Sequence, residues 1–446
     1  MKRSLHTLIA FLILAIIMLP FLPQASAGPR SRSAARPPAL GPYVPDEVLV
    51  KFRPGVNAEN AARAVGGRVH SRIDGLNVHL LKVAAGTVEA TLRSLERNSL
   101  VEYAEPNGYV QAFDHANPND PYDDPASCPY QSSDMSFTCQ WFWAKVQAYD
   151  AWHLTTGNCT IVAVVDTGID VGDNVHYPPD VPPEHGPHPD LHEPACPPTI
   201  MASYVSGEPT GNDDHGHGTH VAGTIGAKTN NGLGISGASW KTRQMGVKVL
   251  DWLGGGTWLA VASGIRFAVD NVPPAQVINL SLGGNRGSKT LRDAVDYAWN
   301  KGAVVVCAAG NAGNTARQYP AFYTNCLAVA ASDPNDNRPS WSTYGSWVEV
   351  AAPGLNILST MQEFFEWCSL CWLYGYYEGY DTLSGTSMAT AVVSGLAALV
   401  WASGKCPPGP GANACVRSRI ENNTDPVPGG YVSKGRVNFF KALNAP

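Results

Sequence analysis

Charge is scarce in this chain. Only 15% of its 446 residues are Asp, Glu, Lys or Arg, the formal net charge is -6, and no long basic run occurs. Nucleic acids and acidic membrane surfaces are met by clustered Lys and Arg, so neither is expected as a partner. Long apolar runs are scarce too. One spans Leu8 to Leu22, and the next, from Ala389, is broken by Ser394 and Gly395 and by residues 403–408, too soon to cross a bilayer. A second Cys-x-x-Cys is also missing, so Cys368 and Cys371 read as a disulfide before a redox pair or half a metal site.

What is present points to export. Lys2 and Arg3 precede the first apolar run, and Ala25-Ser26-Ala27 follows it, the charged, apolar, small order of a secretory signal peptide over residues 1–27. Cleavage is expected after Ala27, leaving a secreted, soluble protein without membrane attachment. Ten cysteines, an even number, suit disulfides in an exported chain. Short loops suggest Cys128 with Cys139 and Cys406 with Cys415. Cys159, Cys196, Cys307 and Cys326 remain, and Cys307, inside an apolar strand, reads as a buried free thiol.

Residues 28–42 are rich in Pro, Ser, Arg and Ala without period and read as a flexible linker. Over residues 43–113 alternating strands (47–52, 78–83 and 101–105) and helical stretches (58–65 and 88–98) predict a small α+β module of β-α-β-β-α-β kind. Residues 114–446 form the second domain. After a helical stretch at 146–154 come short, nearly continuous apolar runs at 161–165, 243–250, 276–280, 303–307, 326–330 and 347–350. Helical segments lie among them at 217–227, 257–270 and 290–301. That alternation predicts an α/β fold, a mainly parallel doubly wound sheet with helices on both faces and chemistry at the carboxyl ends of the strands. Two insertions interrupt it. Residues 171–198 are Pro-rich and carry His176, His185, His188 and His192, a stiffened loop or, less simply, a metal site; residues 364–380 are dense in Phe, Trp and Tyr.

Ser387 stands in Gly385-Thr386-Ser387-Met388-Ala389-Thr390, at the start of a helix apolar or small on every side. In a first turn, free N–H groups and the helix dipole favour a developing negative charge. Alone, such a serine is an ordinary cap. Asp166 ends the first apolar strand, His217 lies in a Gly-rich turn entering a helix, and Asn311 follows the strand at 303–307. Each alone has a bland reading as turn former, structural histidine or loop residue. The order Asp, His, Ser is one of the known triad orders.

Here the chain resembles the subtilisin-like serine proteases, most closely the thermitase branch. The motifs are VVDTGID around Asp166, HGHGTHVAG around His217, VINLSLGG from Val277, VVVCAAGNAGNTA around Asn311, STYGS from Ser342, GTSMAT around Ser387 and KGRVNFFKA near the end, together covering about residues 117–443. The resemblance implies a serine endopeptidase: Ser387 as nucleophile, His217 as base rather than His220, Asp166 as the orienting acid, and the Asn311 amide with the Ser387 N–H as oxyanion donors. It implies that Ser281, Leu282 and Gly283, and Gly254, Gly255 and Gly256, are two edges that pair an extended protein or peptide substrate. Ala308, Ala309 and Gly310 would wall an open P1 pocket suited to apolar and aromatic side chains. It implies a structural calcium held by Asp120, Asp190, the Asn231 side chain and the carbonyls of Lys228, Leu233 and Ile235; a second calcium site is not matched in residues 203–212. The module at 43–113 resembles the inhibitor propeptides of this family, expected to be removed by cleavage between about residues 108 and 117, leaving a monomer. Ala391-Val392 stands where the family usually has Pro-His.

Two other classes remain open on sequence: a catalytically dead relative that binds through the aromatic insertion, and an α/β-hydrolase-type esterase. The first is opposed by the complete triad set. The second is opposed by Met388-Ala389 after the serine, where an x-Gly is needed, and by the triad order.

Overall fold

The computed structural model describes residues 42–112, 140–170, 188–191, 196–197, 199–231, 234–362, 368, 370–371 and 379–445. The expected signal peptide, nearly all of the expected linker, Asp120, Leu233, the expected Cys128–Cys139 pair and most of both insertions, including His176, His185 and His192, lie outside the described residues.

The N-terminal module runs β1 (Tyr43–Phe52), α1 (Ala58–Ala64), β2 (Arg68–Ile73), β3 (Val78–Lys82), α2 (Val88–Glu96) and β4 (Val101–Ala112). The strands pair antiparallel in the order β4-β1-β3-β2. Asn57 starts α1 by accepting the Asn60 N–H, and α2 buries Val88, Leu92 and Leu95, at i, i+4 and i+7. β4 runs seven residues past the expected 101–105, because its second half finds pairing partners beyond the module.

Those partners belong to the larger α/β body. It contains α3 (Trp141–Lys145), α4 (Ala148–Trp152), β5 (Thr160–Asp166), β6 (Ile200–Ser203), α5 (His217–Gly226), β7 (Thr242–Lys248), β8 (Gly255–Thr257), α6 (Trp258–Asp270), β9 (Val277–Leu280), β10 (Leu282–Gly283), α7 (Lys289–Asn300), β11 (Val304–Ala308), β12 (Cys326–Ser332) and β13 (Val350–Pro353). After these come β14 (Ile357–Thr360), β15 (Tyr380–Leu383), the central helix Thr386–Ala402, the helix Ala412–Asn422, β16 (Thr424–Asp425), β17 (Gly435–Val437) and the helix Phe439–Asn444. A nine-stranded sheet has the order β16-β17-β13-β12-β11-β9-β5-β7-β6, parallel throughout except β16 against β17.

Strand side chains alternate between two cores, as a period of two requires. Val162, Val164, Val304 and Val306 face the central helix and α5, while Ile161, Ala163, Val165 and Val305 face α6 and α7. The central helix is buried from Thr386 to Val400. Each fully buried Val or Leu along it contributes roughly 1.5–3 kcal/mol, so its uniformly apolar sequence is what holds it inside.

The second core also takes in Leu49, Ile73, Leu76, Tyr103 and Val110 of the module. Two polar residues of β4 then close helix ends. Glu105 accepts from Ser288 Oγ (2.7 Å) and from the Lys289 and Thr290 N–H groups (both 2.8 Å) at the start of α7. Asn107 accepts the Leu259 N–H at the start of α6 at 3.1 Å. A carboxylate at a helix N-terminus satisfies orphan donors and complements the dipole.

Some expectations shift. The helix expected at 146–154 is the shorter α4, Ala148–Trp152, because Gln147, with a φ of 56°, separates it from α3. The last expected strand, 347–350, moves to Val350–Pro353, because the Val348 N–H closes a turn onto the Gly345 carbonyl. Cys307 is not a free thiol but pairs with Cys326. β11 and β12 are neighbours with Cys307 opposite Ala328, which leaves the two Cα atoms 5.8 Å apart, within disulfide reach. Cys159 pairs with Cys196, Cys368 with Cys371 and Cys406 with Cys415. Among the described residues no helix is long and apolar enough to cross a membrane.

Candidate active site

The carboxyl ends of β5, β9 and β11 bring the site together. Asp166 is the last residue of β5, and His217 the first of α5. Both side chains are fully buried, and His217 Nδ1 lies 2.6 Å from Asp166 Oδ1. The Thr167 N–H donates to the same carboxylate oxygen at 2.8 Å. An imidazole held this way donates through Nδ1 and leaves Nε2 as the basic nitrogen.

A buried charge network fixes the turn before His217. Asp213 accepts from the N–H groups of His215 (2.9 Å), Gly216 (3.0 Å) and Thr219 (2.8 Å), and from Thr219 Oγ (2.6 Å). Lys248 Nζ donates to the Thr167 carbonyl at 2.8 Å and to Asp214 at 2.6 Å. Burial by itself would raise the Asp213 carboxyl, but the Lys248 charge and the hydrogen bonds from Thr219 and Gly216 outweigh it and hold it below the usual carboxylate range. His220 is structural: its Nε2 donates to the Ile357 carbonyl at 2.8 Å, and burial, then nearby His217, push its pKa down to about 3. Of the two histidines, His217 is the one whose ring meets Asp166.

Ser387 is the second residue of the central helix, and Gly385, with no side chain to bond, holds the cap position. The capping alternative is thereby set aside. Ser387 Oγ donates to the Ser281 carbonyl at 3.0 Å, and Ser281 Oγ returns a bond to the Ser387 carbonyl at 3.0 Å. β9 pairs with β5 as Val164 with Asn279. Continued by two residues, that register sets Asp166 beside Ser281, and so on the Ser387 side of the sheet.

Asn311 stands just beyond β11. Its Oδ1 accepts from both the N–H and the hydroxyl of Thr386, each at 3.0 Å, which leaves the amide NH2 as the outward donor. Thr386 Oγ also accepts the Gly310 N–H at 3.0 Å. Ala308, Ala309 and Gly310 are buried, and a Cβ on Gly310, whose φ is 97°, would meet Gln318 Cγ at 2.8 Å. Thr386 and Gln318 were not singled out in sequence; only Thr386, beside the serine, carried a local signal.

The two expected substrate edges are occupied. β4 lies between them, with Ala112 opposite Leu282 and Gln111 opposite Gly283 on one side. On the other, Gln111 faces Gly255, Val110 faces Gly256 and Tyr109 faces Thr257, and the Ala112 N–H donates to the Gly254 carbonyl at 2.9 Å.

Of the expected calcium ligands, Asp190, Lys228, Asn231 and Ile235 are gathered. Asp190 is fully buried; its carboxylate accepts from Asn231 Nδ2 (2.6 Å), the Ile235 N–H (2.8 Å) and Tyr380 OH (2.9 Å). Lys228 donates its N–H to the Asp190 carbonyl at 2.7 Å. Lys228 and Ile235 thus meet Asp190 through N–H groups, not carbonyls. Asp190 supplies carboxylate oxygens of the kind a hard cation takes, while the Asn231 amide presents its NH2 to them. Among the described residues no cluster of three His, Cys, Asp or Glu side chains is placed for a metal. His188, in the Pro-rich insertion, has both ring nitrogens on backbone, Nδ1 accepting from Asp190 N–H and Nε2 donating to Gly379.

Residues 157–435 match the family model described as the subtilase family, and residues 29–107 match the fervidolysin N-terminal prodomain. The chain is 44% identical over 303 residues to thermitase of Thermoactinomyces vulgaris, covering 67% of this chain and 94% of that one. It is 36% identical to the thermophilic serine proteinase of Bacillus sp. strain AK1, covering 97% of each. The crystal structure of fervidolysin from Fervidobacterium pennivorans, a keratinolytic enzyme related to subtilisin, superposes with a TM-score of 0.68 at 26% identity, covering 91% of this chain and 61% of that one. The chain therefore belongs to the subtilase family, a subtilisin-like serine endopeptidase of thermitase type with a fervidolysin-type prodomain.

Proposed function

We propose that the protein is a secreted, self-processing zymogen whose residues 43–113 inhibit the peptidase 114–446 until the Phe113–Asp114 bond is cut. The observation that carries this reading is the register of β4. Ala112, the last described residue of β4, opposes Leu282, the neighbour of Ser281, whose carbonyl receives the Ser387 hydroxyl, and Phe113 is next in sequence. The scissile carbonyl in this reading is that of Phe113, an aromatic residue of the kind expected to suit a small-walled pocket of Ala308, Ala309 and Gly310.

In this mechanism Ser387 Oγ turns from the Ser281 carbonyl to His217 Nε2, gives up its proton there and attacks the carbonyl carbon. Asp166 holds the imidazole through Nδ1 and stabilises its charged form. The oxyanion is met by the Asn311 amide and the Ser387 N–H, an interaction stronger in the transition state than in the ground state. His217 then protonates the leaving amine, and water resolves the acyl-enzyme by the same route. Substrates bind as the strand that β4 leaves, which favours extended, unfolded segments with an apolar or aromatic P1 residue and otherwise broad choice. Asp190 and Asn231 would hold a calcium ion, which supplies charge that ties the 228–235 loop to the body and takes no part in the chemistry. Export follows from the signal peptide at 1–27, and the mature protein acts as a monomer.

The test is to incubate the processed protein with an active-site fluorophosphonate and with casein. Labelling of Ser387 together with casein cleavage is expected. No labelling supports the dead scaffold, and labelling with ester but no peptide hydrolysis supports an esterase.

A further inference from the structure

The aromatic insertion is described at Cys368, Leu370 and Cys371, and all three are buried in the core that holds the central helix. The two cysteines form a disulfide, and the Cys371 N–H donates to Cys368 Sγ at 3.1 Å. This small knot rests on the turn that leads to His217. The Leu370 N–H donates to the His215 carbonyl at 3.1 Å, and Cys368 Sγ lies 3.7 Å from the same oxygen. Gly216 has a φ of 103°, and a Cβ there would lie 3.0 Å from Cys368 Sγ, 3.1 Å from Met361 Cε and 3.8 Å from Leu370 Cδ1. The turn needs glycine for its dihedral and for the close approach of the sulfur.

The opposite side of the same two residues is held by Asp213, through the His215 and Gly216 N–H groups. His215 is tied forward as well, since the His217 N–H donates to its Nδ1 at 3.3 Å. A buried carboxylate grips the turn from one side and an apolar cystine from the other.

We propose that the Cys368–Cys371 disulfide, with Leu370, is a positioning element for the base: it fixes the His215–Gly216 turn and thereby the placement of His217 against Asp166 and Ser387. This rests on the triad reading above. The disulfide spans two intervening residues, so opening it frees the Leu370 N–H and the Cys368 side chain to leave the turn. Displacement of the base lowers turnover while the substrate edges keep their grip, so kcat falls and KM stays.

The test uses the full chain, matured, with Cys368→Ala/Cys371→Ala, assayed on a peptide anilide ending in Phe. The expected result is a loss of about 10- to 100-fold in kcat with KM changed less than about twofold. Cys406→Ala/Cys415→Ala is the control, because that disulfide follows the far end of the 17-residue central helix, about 25 Å from Ser387. Its kcat is expected to be unchanged. Equal kcat in the two double variants overturns the proposal.

Should the first variant fail to mature, wild-type mature enzyme is treated with graded dithiothreitol. The reagent gives two electrons and closes to its cyclic disulfide, and Cys368 and Cys371 each take up a proton as thiols. Alkylation and peptide mass identify which bridge is open. Loss of kcat that tracks the opening of Cys368–Cys371, and returns on reoxidation with oxidised glutathione, supports the proposal; full kcat with that bridge open refutes it. Fluorophosphonate labelling of the untreated enzyme separates the two levels. Absence of labelling at Ser387 sinks the triad reading and the proposal with it, whereas labelling with an indifferent disulfide sinks the proposal alone.

Discussion

Thr386 holds Asn311 by its amide oxygen, with N–H and hydroxyl both donating to Oδ1 at 3.0 Å. The residue before Ser387 thereby fixes which end of the Asn311 amide is turned away from Thr386. Thr386→Val keeps the N–H and removes the hydroxyl, and is expected to lower kcat about tenfold with little change in KM. Asn311→Ala is expected to cost roughly 100- to 1,000-fold. If Thr386 acts through Asn311, the Thr386→Val effect disappears in the Asn311→Ala background. Additive losses in this cycle would assign Thr386 another role.

The proposed maturation site lies just past Ala112, the last described residue of β4. N-terminal sequencing of the mature enzyme is expected to begin at Asp114, and Ser387→Ala is expected to accumulate as the uncut proform in a host lacking proteases. A mature terminus upstream of Ala112 would contradict the register, and normal processing of Ser387→Ala would contradict self-cleavage.

Glu105 caps α7 from the module with three donors at 2.7–2.8 Å. Glu105→Ala should remove about 1 kcal/mol or more of docking energy. In the Ser387→Ala proform this appears as faster removal of the module by added active enzyme, about fivefold or more. An unchanged rate would show that the apolar contacts of Tyr103 and Leu76 suffice.

The Asp213 and Lys248 network gives stability a defined pH window. Asp213 is depressed below its ordinary 3.8, so its contribution is present above that pH and is lost as pH falls through the folded value. For Lys248 burial alone would lower the pKa, but Asp214 and Asp213 raise it above the ordinary 10.5, so its contribution is present below that pH and is lost as pH rises through the folded value. In the Ser387→Ala proform the stability these two groups supply is expected to be constant between about pH 4 and 10 and to fall outside that range, as read by calorimetry at each pH. Asp213→Asn should lower the plateau by about 3 kcal/mol and weaken the acid limb. A plateau that survives Asp213→Asn would place the stability elsewhere.

Chelation with EGTA is expected to lower the unfolding midpoint of the mature enzyme by several degrees, an effect that Asp190→Asn removes. If EGTA shifts wild type and Asp190→Asn equally, the ion sits at another place.

Much of the site was legible in sequence because its parts are local. Asp166 ends a continuous apolar strand, His217 opens a helix after a Gly-rich turn and Ser387 opens a helix with no polar face, so period and glycine placement locate each one. The α/β class follows for the same reason, as does the short-range pairing of Cys406 with Cys415. What the sequence could not contain is register. Cys307 reads as a lone apolar residue until β11 and β12 are neighbours; residues 109–112 carry no strand signal of their own until β8 and β10 flank them; and Thr386 is an ordinary threonine until Asn311, 75 positions earlier, lies within 3.0 Å. Each of these depends on how two distant strands slide against one another, a choice made by burial of the whole sheet and not by any one segment.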